Sequence, residues 1–123
     1  MSVKNYKELR IWQKGVAIVE EVYKTTALFP KNDLYGLVIQ MRKAAVSIPS
    51  NIAEGFSRRH TKEYKQFLHI AYGSCAELET QLIIAEKIGY SMKSDLLKEY
   101  LDHEARMLKT VIQKLDLIKP HTT

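Results

Sequence analysis

Residues 40–55 read QMRKAAVSIPSNIAEG, and no other stretch constrains the fold as strongly. Small and apolar residues at helical spacing predict a helix. Pro49 stands near its middle. A proline has no backbone N–H, and its ring meets the carbonyl four residues back, so the expectation is a kink or a short break near Ser47. Ser47, Asn51, Glu54 and Arg58 follow at steps of four, three and four, with Lys43 extending the row backwards. On a helix that spacing is one polar line. A generic bundle helix needs neither the proline nor the line, so something specific is held there by packing, by assembly or by a ligand.

The periodicity predicts four helices, 9–28, 34–57, 62–88 and 95–118, and no strand. In the first, Leu9, Trp12, Val16, Val19 and Tyr23 share a face. Phe29-Pro30-Lys31-Asn32 breaks that pattern, and Asn32 or Asp33 can cap the next helix. The second carries Leu34, Leu37, Met41, Ala45, Ile48 and Ile52 as its stripe, with Gly55 as a stop signal. Ser57-Arg58-Arg59-His60 connects to the third, with Thr61 as the candidate N-cap. The inner face of the third is Phe67, Ala71, Ser74, Leu78, Leu82 and Ala85, and Gly89 ends it. The fourth repeats Leu97, Leu101, Ala105, Leu108, Ile112 and Leu115 before Pro120. Short connectors favour antiparallel neighbours. The fold class is therefore all-α, an up-down-up-down four-helix bundle with a Pro-kinked second helix, one domain over 1–123.

Apolar positions exceed one stripe per helix: Val22 and Ala27 on the first, Ile70, Ile83 and Ile84 on the third. The excess argues for surface buried between subunits. No apolar run approaches the roughly 18 residues of a membrane span. The N-terminus MSVKNYKELRIW shows no secretory core. A single cysteine, Cys75, suits a reducing compartment, so the expected location is the cytoplasm. Nineteen Lys and Arg against fourteen Asp and Glu give a net charge of +5, a weak invitation to a polyanion.

QMRKAAVSIPSNIAEG, the following Arg58, KEYKQFLHIAYGSCAELETQL over 62–82 and YKELRIWQKGVAIVEEVYK over 6–24 together resemble the four-helix bundle proteins of the 23S rRNA intervening-sequence family. The resemblance covers nearly the whole chain. It implies a four-helix up-down bundle that assembles into a homo-oligomeric ring, commonly a pentamer. Some members are encoded within insertions in bacterial 23S rRNA genes and many elsewhere, and the family has no established biochemical role. It is also similar to the accessory subunit of diversity-generating retroelements, a basic pentameric barrel that binds nucleic acid and a reverse transcriptase. The present chain is less basic than that subunit.

Two readings attach to the polar line. It is a recognition strip facing a lumen or an anion, or Asn51 and Glu54 bond to carbonyls freed by Pro49 or to a neighbouring helix. The second is favoured, because an unpaired buried polar group costs roughly 1–3 kcal/mol. Arg42 and Glu77 lie at similar distances in sequence from the Arg58–Thr61 connector, so counting predicts a register-setting salt bridge between them. Arg42, Ser47, Pro49, Asn51, Glu54 and Glu77 thus form the candidate structural motif.

Arg58, Arg59, Lys62 and Lys65, with His60 among them, are the densest basic cluster, and Tyr64 and Phe67 follow closely. Repeated around a ring, they would form a rim whose phosphate contacts are strong and salt-sensitive. Lys4, Lys7, Arg10 and Lys14 make a second basic group. Catalytic patterns do not emerge. His60, His69, His103 and His121 form no HExxH pair, Cys75 has no second cysteine for a zinc site, and the five glycines are scattered singly. No cofactor, metal site or enzymatic activity is expected. The sequence reads as an oligomeric binding protein contacting RNA or DNA non-specifically through Arg58, Arg59, Lys62 and Lys65. The alternative is an adaptor ring for a protein partner such as a reverse transcriptase, with Tyr72, Tyr90 and Tyr100 among its surface aromatics.

Overall fold

The computed structural model describes residues 3–118. Four α-helices account for most of them: α1 (Arg10–Thr26), α2 (Ile39–Ser57), α3 (Thr61–Lys87) and α4 (Asp95–Asp116). No strand occurs among the described residues. α2 packs between α1 and α3, and α4 closes the bundle against α3 and α1. Pro120 and His121 lie outside the described residues.

The core face of α1 differs from the expected one. Ile11, Gly15, Ile18 and Val22 are buried, whereas Trp12, Val16 and Val19 are half-buried and Tyr23 is exposed. Apolar residues cover so much of α1 that two adjacent faces fit the same spacing. Gly15 helps decide between them, since a Cβ there would already meet Pro49 Cβ at 3.2 Å. This face lets α1 come close to α2. The stripes read from sequence hold for α2 from Met41 onward, and for most of α3 and α4.

The expected second helix starts late. Lys31–Asp33 forms a 3-10 turn and Leu34–Val38 a wide π turn, with Gly36 at φ −103°, ψ −113°. The Asp33 carboxylate accepts from the Leu37 N–H at 3.2 Å, which is the expected cap one element early. An α-helix then runs without a break from Ile39 through the buried Pro49 to Ser57. Gly55 does not stop it. A Cβ at Gly55 would lie 2.6 Å from Phe67 Cβ, so this glycine lets α2 approach α3. The stop is Arg59, whose backbone is left-handed at φ 65°. α3 ends as expected at Gly89, φ 86°, where Tyr90 N–H reaches Ala85 O at 3.0 Å and Gly89 N–H reaches Glu86 O at 3.1 Å. Thr61 is the first residue of α3, and the cap position falls to His60.

Candidate nucleic-acid interface

The polar line of α2 divides into two halves. In the inner half, the Ser47 and Ser74 hydroxyls lie 2.8 Å apart and tie α2 to α3. Asn51 Nδ2 donates to Ser47 Oγ at 2.9 Å and to the Ser47 carbonyl at 2.8 Å. The carbonyl that loses its helical donor to Pro49 is that of Ala45, so Asn51 does not bond to the freed group as expected. In the outer half, Glu54 and Arg58 are exposed and 3.9 Å apart. Glu54 therefore joins a surface ion pair instead of a backbone carbonyl.

The expected Arg42–Glu77 salt bridge does not form. Arg42 Nε donates to Thr26 Oγ1 at 3.0 Å, and its guanidinium lies 4.3 Å from the Tyr23 ring centre, so it ties α2 to α1. Glu77 is exposed on α3 and accepts from Gln81 Nε2 at 3.5 Å. Counting from a turn gives height along a helix but not direction around it. At 3.6 residues per turn, Arg42 and Ser47 are about 140° apart, so a helix with Ser47 on α3 has Arg42 on α1.

The basic residues named from sequence gather at one end of the bundle, but they are not equally free. Lys65 Nζ is held by Asp116 at 2.8 Å, and Arg58 sits over Phe67 at 5.3 Å as well as beside Glu54. Arg59 and Lys62 are exposed and form no ion pair among the described residues. The N-terminal segment folds against this same end. A capping box closes the Tyr6–Glu8 turn, with Asn5 accepting from Lys7 N–H and Glu8 accepting from Asn5 N–H at 2.9 Å each. As a result Lys4 and Tyr6 share a groove of about 470 Å³ with Phe56, Ser57 and Arg59. Fifty-odd residues of chain separate these two basic groups, and sequence alone gave no signal of their meeting.

Among the described residues, the interior holds one carboxyl that the spacing argument did not single out. Glu104 is fully buried, and neither carboxyl oxygen has a hydrogen-bond partner among the described residues. Burial pushes its carboxyl up to about 8, against the opposite pull of Lys14. The spacing Leu97, Leu101, Glu104, Leu108 placed it on the core stripe; only its charge argued otherwise. Burial first, then the Glu104 and Glu79 charges, push the Cys75 thiol up to about 12, which keeps it protonated at neutral pH. No group of three metal-ligating side chains gathers among the described residues. No described helix is long and apolar enough to cross a membrane.

No curated protein matches the chain. A family model described as 23S rRNA-intervening sequence protein matches residues 7–110, from the turn before α1 into the last third of α4. The match takes in the proline-bearing helix and the basic connector after it, and the chain belongs to the 23S rRNA-intervening sequence protein family.

Proposed function

We propose that this protein is a non-catalytic, cytoplasmic, homo-oligomeric binding protein that contacts RNA or DNA without sequence specificity through the basic end of its bundle. The observation that carries the reading is the shared groove in which Lys4 and Tyr6 meet Arg59 and Phe56. Cations and aromatic rings lining one groove suit a phosphate backbone and its bases. Arg59 and Lys62, free of ion pairs among the described residues, supply the charge. Arg58 and Lys65 add to it by exchanging their carboxylate partners for phosphates.

Assembly into a ring, commonly a pentamer in this family, multiplies these contacts. An up-down-up-down course with a bend at Pro49 belongs to the same reading. Exposed apolar residues support assembly: Tyr23, Leu34, Tyr35, Ile39 and Val46 line a groove of about 650 Å³ between α1 and α2, and Tyr35 is 86% exposed. The same groove supports the second reading, an adaptor for a protein such as a reverse transcriptase.

Fluorescence anisotropy of a structured RNA and a matched DNA duplex across a salt series tests the first reading. Tight binding that weakens steeply with salt is expected, and Arg58→Glu, Arg59→Glu and Lys62→Glu together should abolish it while native mass spectrometry shows the oligomer intact. Unchanged affinity in that variant would sink the assignment. A partner that survives nuclease treatment in a pull-down would favour the adaptor.

A further inference from the structure

A further groove opens beside the basic connector, where the start of α1, the first turn of α3 and the middle turns of α4 converge. It measures about 610 Å³, within the range of small-ligand sites. Its walls are apolar and aromatic: Leu9, Ile11, Tyr64, Met107 and Val111. Its rim is cationic or polar: Arg10, His103, Arg106 and Thr110. Arg10 forms no ion pair among the described residues, and Arg106 meets only the exposed Asp102, at 2.8 Å.

The two halves of this groove select different things. A phosphate alone has no use for Tyr64 and Met107, and an apolar body alone has no use for two guanidinium groups. A ligand with a flat, weakly polar face a few bonds from an anion satisfies both, and an unpaired nucleotide is such a ligand. A duplex keeps its bases stacked inside and offers the rim only phosphates. The Tyr64 ring stands edge-on to Phe56, 6.0 Å between centres, and Phe56 lines the groove at the basic end, so the two grooves are neighbours.

We propose that the Leu9–Tyr64–Met107 groove receives one unstacked base of a single strand, with its phosphate on Arg10 and Arg106, so that the protein prefers single-stranded to duplex nucleic acid. This rests on the nucleic-acid reading above and adds the form of strand that is bound.

The test is anisotropy with the full chain and one labelled sequence in three forms: single strand, duplex, and single strand with its bases removed. The single strand should bind at least about tenfold more tightly than either of the others. Thr110→Trp, which fills the groove from an exposed position, should erase that difference by weakening the single strand. Arg10→Ala should weaken the single strand more than the duplex. Equal affinity for all three forms would overturn the groove assignment and leave the basic-end reading standing, as would a Thr110→Trp variant that keeps the preference. Absence of binding to every form at low salt would overturn both.

Discussion

Gly15 makes room for Glu104: a Cβ on Gly15 would stand 3.3 Å from Glu104 Oε2, with Pro49 Cβ and Ile48 Cγ2 equally close on the α2 side. A glycine on α1, a proline on α2 and a carboxyl on α4 therefore share one small volume inside the bundle. Each is an unusual choice for a buried helix position, and together they are compatible. The glycine admits the carboxyl, and the proline brings no N–H that would need a partner.

Stability should fall as pH rises through the neutral range. The Glu104 carboxyl is held at about 8 in the folded protein against 4.5 for an ordinary glutamate. Below 4.5 both folded and unfolded chains hold the proton, and the group contributes nothing. Between 4.5 and 8 the unfolded chain releases it and the folded chain does not, so unfolding gains. Above 8 the penalty is constant, at most about 5 kcal/mol. Lys14 from α1 is the charged group that acts on this carboxyl, and the Cys75 thiol of α3 is in turn raised by the Glu104 charge. Urea denaturation from pH 5 to 9 should show this decline, and Glu104→Gln should match the parent at pH 5 and exceed it at pH 9. Parallel curves for the two proteins would show that Glu104 does not titrate in this window.

The Ser47–Ser74 contact should couple α2 to α3. Ser47→Ala removes one acceptor of Asn51 and orphans the Ser74 hydroxyl, at a cost of about 1–2 kcal/mol. Ser74→Ala should cost less, because Asn51 retains both of its acceptors. A double-mutant cycle measured by chemical denaturation should return a coupling of about 1 kcal/mol, and a coupling of zero would remove the pair from the account of register.

Gly55→Ala should destabilise although alanine favours helix by about 1 kcal/mol over glycine. The added methyl would fall 2.6 Å from Phe67 Cβ and 3.1 Å from Tyr64 Cδ1. Moving α2 away from α3 should cost about 1–3 kcal/mol net, typical of overpacked cores. A melting temperature at or above that of the parent would mean that the helices separate there without strain.

Arg59→Gly should separate stability from binding. A left-handed backbone costs a side chain about 1 kcal/mol that glycine avoids, so the variant should be as stable as the parent or slightly more so. If Arg59 touches phosphate, affinity for nucleic acid should drop and the salt slope should shrink by about one phosphate contact. A gain in stability with unchanged binding would leave the arginine at φ 65° without a role in binding.

Arg42→Leu and Glu77→Gln make a complementary pair. Loss of the Thr26 hydrogen bond and the Tyr23 stacking should cost about 1–2 kcal/mol at Arg42. The exposed Glu77 should tolerate neutralisation within about 0.5 kcal/mol. Equal losses at the two positions would restore the salt bridge between them.

Local chemistry in the sequence determined the number of the helices and most of their ends, the start of α2 excepted. Pro30, Gly89 and the 3.6-residue stripes of α3 and α4 act within a turn or two of chain, so they could be read without knowing what lies opposite. The same holds for the basic connector, whose charges are adjacent in sequence. What only the tertiary structure decided is direction around each helix axis and contact across the bundle. Spacing could not choose between two overlapping faces of α1, because Ile11–Val22 and Trp12–Tyr23 fit one period equally well. Counting residues placed Arg42 and Glu77 at one height but could not turn Arg42 toward Thr26. Nor could it bring Lys4 to the groove of Arg59, or Arg10 to that of Arg106, since those meetings depend on which parts of the elements lie side by side. Packing settles these questions because each helix buries one face against partners that are remote in the chain, and the closest approaches go where Gly15 and Gly55 leave room.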